Sequence, residues 1–182
     1  MIMEYHKSVL PNGVRVLTVP MKDTKTVTVL VFVGTGSKYE TKDINGVSHF
    51  LEHMFFKGTE RRPNSLAVNE ELDRVGAEHN AWTHFEFTAF YVKTDFTQID
   101  LALDVVSDML LHSKLDPQEI EKEKGVIVEE INMYNDEPAS YVGVLLEKLL
   151  YGDQPAGWQI LGTKDTVRAL TRDGFAAYLR DQ

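Results

Sequence analysis

The residue types best suited to chemistry in this chain stand together at His49-Phe50-Leu51-Glu52-His53. On a helix, His49 and His53 lie one turn apart and point the same way, with Glu52 beside them. Two imidazoles at that spacing can hold one metal ion while the carboxylate reaches a water next to it. A pair of ordinary core histidines would leave the same pattern, so the motif needs a third ligand before it becomes a metal site. Its flanks are apolar, with Val47, Met54, Phe55 and Phe56 continuing the run. Burying two imidazoles and a carboxylate among such residues is costly unless something compensates them, and a metal ion would do so.

A second stretch supplies the missing donor type. Asp116-Pro117 opens a long helix by the cap-plus-proline signal, running to about Asn135. At about 100° per residue, Ile120, Val126, Ile127, Ile131, Met133 and Tyr134 form its apolar stripe, and Glu123 and Glu130 fall near the middle of that stripe. Carboxylates two turns apart on an apolar face call for a cation, a hydrogen-bond network or a raised pKa. A salt-bridge pair with basic residues elsewhere is the competing reading. Two His and one Glu with an open fourth position make a catalytic zinc set, whereas structural zinc sites are closed by four protein ligands.

The rest of the composition narrows the alternatives. The chain has 182 residues, 43% hydrophobic and 26% charged, as expected of one soluble globular domain or one large half of something bigger. There is no cysteine, which removes disulfides, thiolate nucleophiles and Cys-based zinc sites and leaves His and carboxylate as the strong ligands. A net charge of −9 argues against nucleic acid and for cationic or peptide partners. The start, Met1 to Lys7, carries no signal-peptide or transit pattern, and no apolar run approaches the ~20 residues of a membrane span. The expectation is a soluble, cytoplasmic protein without membrane contact.

The elements that must position these residues follow in order. Ser8-Val9-Leu10 and Val14 to Val19 form a hairpin around Asn12-Gly13. Thr26 to Val33, β-branched and apolar, reads as a central strand. A polar loop ends at Asn45, the expected N-cap of the histidine helix, and Gly58 stops that helix. A short helix over Leu66 to Val75, closed by Gly76, precedes strands near Glu78 to Trp82 and Glu86 to Lys93. An amphipathic helix spans Thr97 to His112, with Ile99, Ala102, Leu103, Val106, Met109 and Leu110 inward and Asp100, Asp104, Ser107 and Asp108 on a solvated face. After the long helix come Ala139 to Leu150, a Gly-rich loop from Tyr151 to Gly162, and a last helix near Thr171 to Leu179. His79 and His84 read as strand residues, His6 and His112 as surface ones. The fold class is α+β, an antiparallel-rich sheet with helices packed on one face, in a single domain covering 1–182.

The segment His49-Phe50-Leu51-Glu52-His53-Met54-Phe55-Phe56-Lys57-Gly58-Thr59 resembles the active-site helix of the pitrilysin/insulinase family, which carries the inverted zincin motif H-x-x-E-H. Gly76 to Tyr91 and Leu10 to Val14 are similar to that family's substrate-pairing strand and opening hairpin. The family's third ligand is a glutamate on a later helix, with another glutamate about two turns before it. Those positions fall on Glu130 and Glu123.

The resemblance implies a zinc metalloendopeptidase that hydrolyses peptide bonds in extended peptides or unfolded proteins through a zinc-activated water. His49, His53 and Glu130 would hold the ion, Glu52 would act as general base, and Glu123 would orient a ligand from the second shell. Asn80 and Ala81 would contact the substrate backbone, and Phe56 would line an apolar subsite, though turn and core roles stand beside these. The family closes several similar domains around its substrate, so a C-terminal half or partner subunit would be needed for full activity. The 182 residues alone would cleave weakly or not at all. A non-catalytic subunit of a processing-peptidase-like complex and a metal-dependent hydrolase of other substrates are the alternatives.

Overall fold

The Asn12-Gly13 turn forms where its residues require it. Gly13 adopts φ +88°, the left-handed region open to glycine, and joins β1 (His6–Val9) to β2 (Arg15–Thr18) as an antiparallel pair. A computed structural model describes residues 4–182; Met1 to Met3, the start of the stretch read above for a targeting signal, lie outside the described residues.

The main sheet has three antiparallel strands, β3 (Thr26–Val33), β4 (Glu78–Thr83) and β5 (Thr88–Asp95), in the order β3-β5-β4. β5 is therefore the central strand, not Thr26–Val33 as its composition suggested. β-Branched, apolar composition reports burial of a face, and β3 alternates half-buried and exposed residues along its length. Val29, Val31 and Val33 face the core, while Phe32 on the opposite face is 57% exposed.

Helices cover that core side. α1 (Val47–Phe55) lies on β4, and α2 (Ser65–Asp73) also packs on that strand. α3 (Ile99–His112) lies on β5 and β3. α4 (Pro117–Asp136) crosses α1 and packs against α5 (Pro138–Tyr151) and α6 (Lys164–Ala169), while α7 (Arg172–Asp181) returns to α1. The result is mixed α and β with helices on one sheet face, as expected. No helix among the described residues is long and apolar enough to cross a membrane.

Four local expectations are corrected. α6 lies between the Tyr151 to Gly162 loop and the last helix, where no element was expected; Thr163 and Thr166 cap it reciprocally. The N-cap of α1 is Gly46, not Asn45. On α3, Asp108 is 1% exposed and bonded to Arg62, Thr59 and His112, so the aspartate row is not wholly solvated, whereas Ile99 and Leu103 are exposed. On α4, Ile120, Ile127 and Ile131 are buried, but Val126, Met133 and Tyr134 stand in solvent.

Candidate metal centre

The site begins with the way α1 is started. Gly46 sits at φ +99°, and a Cβ there would meet Leu161 O at 2.6 Å. No other residue fits both conditions. The buried Glu40 carboxylate then accepts from the Gly46 and Ser48 amides at 2.8 Å each. It satisfies donors that the first turn leaves open and places negative charge at the positive end of the helix. Asn45 donates to Glu40 at 3.0 Å and to Gln159 O at 3.1 Å, a brace instead of a cap. Phe50, Leu51 and Met54 bury the faces of α1 away from the ligands.

α1 and α4 bring His49, His53 and Glu130 together, with one donor atom from each within 4.8 Å of the others. Glu130 Oε2 is 3.7 Å from His49 Nε2 and 3.5 Å from His53 Nε2. These separations are long for strong hydrogen bonds. They match the edge of a tetrahedron about 3.4 Å on a side that zinc bonds of ~2.0–2.2 Å would generate. Nitrogen, nitrogen and carboxylate oxygen are also the donors zinc prefers. The residues fit the ion.

Around the triangle, Glu123 Oε1 lies 2.8 Å from His53 Nδ1, and Lys57 Nζ lies 2.6 Å from Glu123 Oε2. Glu123 thus holds the far side of one imidazole and leaves Nε2 facing Glu130, the arrangement by which outer carboxylates orient metal-ligating histidines. His49 Nδ1 is buried without a hydrogen-bond partner among the described residues. Glu52 Oε2 accepts from Thr83 Oγ1 at 2.5 Å, so the carboxylate stands between α1 and the end of β4.

Electrostatics separate the two histidines of the ion-free site. Burial, helped by the charge on His53, pushes His49 down to about 4. Burial pulls His53 the same way, but hydrogen bonds to Glu123 and Glu130 outweigh it and lift His53 to about 9. Glu52 is raised by burial, which its Thr83 bond only partly offsets. Glu123 and Glu130 stay below the usual carboxylate range; burial opposes this and the His53 hydrogen bonds overcome it.

The remaining sequence-derived residues are placed differently. β4 is a sheet edge. His84 N donates to Phe87 O at 2.8 Å, so by the alternation of an antiparallel ladder the main-chain groups of His79, Ala81 and Thr83 turn to the open side. Asn80 Oδ1 accepts from the Ala81 amide at 2.9 Å on that side. Phe56 is half-buried and packs against His79 and Phe90, with ring centroids 6.3 and 6.5 Å away. Lys57 and Thr83 were missed. Lys57 stands one turn beyond His53 and was readable from that spacing, but Thr83 reaches Glu52 only through strand register. A cavity of about 750 Å³ between α4, α5 and α6 is lined by Ile131, Asn135, Tyr141, Trp158 and others but by none of the three ligands, so its volume has no bearing on this chemistry.

Comparison with known proteins gives the family. Residues 15–164 match the model of the insulinase family, peptidase family M16. An uncharacterized zinc protease of Bacillus subtilis is 44% identical over 170 residues, covering 93% of this chain and 41% of that protein. The mitochondrial-processing peptidase subunit beta of Lentinula edodes is 38% identical over 173 residues, covering 95% and 37%. The crystal structure of a protease from Helicobacter pylori superposes with a TM-score of 0.92 at 25% identity, covering 98% of this chain and 43% of that one. The chain spans about two fifths of the curated relatives it matches. With a family match across most of its length, this chain belongs to the insulinase family, peptidase family M16.

Proposed function

We propose that this chain is the catalytic zinc domain of a metalloendopeptidase that cleaves extended peptides, as part of a longer protein or of a two-subunit enzyme. The observation that carries the reading is the convergence of His49, His53 and Glu130 within 4.8 Å of one another, beside Glu52 and an open strand edge. Zinc held by those three side chains supplies Lewis acidity that polarises a peptide carbonyl and brings a water's pKa towards ~7.

The chain's own residues do the rest. Glu52 takes the proton from the attacking water and delivers it to the leaving amine as the carbon–nitrogen bond breaks. Its pKa, raised by burial, moves towards the working range of a general base. Glu123 keeps His53 in the tautomer that presents Nε2. The peptide adds as a strand to β4, pairing with the main chain at Ala81. Asn80 contacts that backbone too, after its side chain releases the Ala81 amide. Phe56 walls an apolar subsite beside His79. Recognition by main-chain pairing would let the site accept many sequences.

Glu52→Gln tests the reading. The variant is expected to keep one zinc per chain and to lose on the order of 10²–10⁴-fold in turnover of an extended peptide by the longer natural protein. Turnover at the wild-type rate would overturn the assignment. A zinc-free wild type would argue for a scaffold role without chemistry.

A further inference from the structure

The main-chain direction of β4 and the hydrogen bonds around Glu52 bear on how the base is aimed, a matter the ligand set leaves open. Among the described residues, the only side chain that donates to the Glu52 carboxylate is Thr83, from Oγ1 to Oε2 at 2.5 Å, with a weaker contribution from the Thr83 main chain. No side chain among the described residues bonds Oε1. Glu52 has three rotatable side-chain torsions, and an unanchored carboxylate would spread over several rotamers.

Thr83 is itself unusually well fixed for an edge-strand residue. It pairs with Thr88 on β5, and Thr88 Oγ1 donates to Thr35 O at 3.1 Å. The next residue, His84, gives its carbonyl to Ser37 N at 3.2 Å, and Phe85 gives its carbonyl to Lys38 N at 2.9 Å. Gly36 lies so close that a Cβ there would sit 2.1 Å from His84 O. The β4–β5 turn is thus clamped by the 36–38 segment. As a β-branched residue, Thr83 has few χ1 choices left once its backbone is held. Strand alternation puts its hydroxyl on the α1 side, while its main chain faces the open edge.

We propose that Thr83 is the positioning residue of Glu52, and that it ties the base to the strand on which a peptide is laid. This rests on the peptidase reading above. A peptide paired at Ala81 is registered against the same rigid strand end that aims the Glu52 carboxylate, so substrate and base share one frame. A threonine serving only as an edge-strand residue would need no hydroxyl here.

The test uses the longer natural protein loaded with zinc, as wild type, Thr83→Val and Thr83→Ser. Thr83→Val is expected to lower kcat on the order of 10- to 100-fold, the cost of a misplaced reacting group. KM should stay within about twofold, and zinc content should equal that of wild type. Thr83→Ser, which keeps the hydroxyl, should stay within about threefold of wild type. A crystal structure of Thr83→Val should show the Glu52 carboxylate moved from its place, and Thr83→Ser should show it retained. The proposal is overturned by an unchanged kcat in Thr83→Val, by a serine variant as slow as the valine one, or by Glu52 holding its position without the hydroxyl. If wild type itself cleaves no peptide, the peptidase reading fails instead, and the position of Glu52 in the Thr83→Val crystal still decides the Thr83 role.

Discussion

His49 and His53 sit one turn apart on the same helix, yet their surroundings pull them to about 4 and about 9 in the ion-free protein. The difference comes from burial, which dominates at His49, and from the hydrogen bonds to Glu123 and Glu130, which outweigh it at His53. Zinc binds an imidazole only through an unprotonated nitrogen, so at neutral pH the ion must displace a proton from His53. Calorimetry in buffers of different ionisation enthalpy should therefore show about one proton released per zinc at pH 7, with apparent affinity rising about tenfold per pH unit and levelling above pH about 9. The sign for folding is the opposite: a raised His53 pKa contributes stability to the ion-free fold that is fully present below 6.5 and lost as pH rises through about 9. Release of no proton at pH 7 would mean that His53 is already neutral.

The candidate metal group and its neighbour Glu123 were legible in the sequence because helix period is a rigid ruler. Once α1 and α4 are granted, the positions of His49, His53, Glu123 and Glu130 on their faces follow. Thr83 and Asp108 were not legible, because their surroundings are set by partners distant in sequence. Asp108 reads as one more acid in a solvated row until Arg62 arrives from the loop before α2.

Elements show the same division. Helix and strand existence followed from pattern, while neighbours did not: the composition of β3 says that one face is buried but not whether a strand lies on each side. α6 is only six residues long, and its capping residue at the third helical position is Thr166 instead of the usual Glu or Gln, so its signal was faint. The loop between α1 and α2 is where element-scale energetics are concentrated. Arg62, 3% exposed, spans Glu71, Asp104 and Asp108 at 2.7 Å each. Asp104, under hydrogen bonds from Arg61 and Arg62, is held at about 2. Removing Arg62 leaves Asp108 as a buried carboxylate held only by Thr59 and a half-exposed His112. Arg62→Met should destabilise by about 3–5 kcal/mol in denaturant titration, the range for breaking a buried ion pair. A loss under about 1 kcal/mol would show that water reaches Asp108.

At the scale of the molecule, several apolar surfaces have no cover among the described residues. Val142, Leu146, Leu149 and Leu150 of α5 are exposed, as are Val9 and Leu17 of the β1–β2 hairpin. On α5, Val142, Leu146 and Leu149 fall at helical spacing on one face, an apolar stripe without cover among the described residues. The 182-residue chain by itself is expected to bind zinc and to cleave peptides weakly or not at all, measured against the longer protein on one fluorogenic peptide. Equal rates would show that nothing outside these residues contributes to turnover.

The wide gap in sequence between His53 and Glu130 also sets an order of events during synthesis. A nascent chain that has delivered α1 but not α4 offers an ion two imidazoles and no carboxylate at the third corner. The three-residue group is therefore complete only once α4 has left the ribosome and docked on α1.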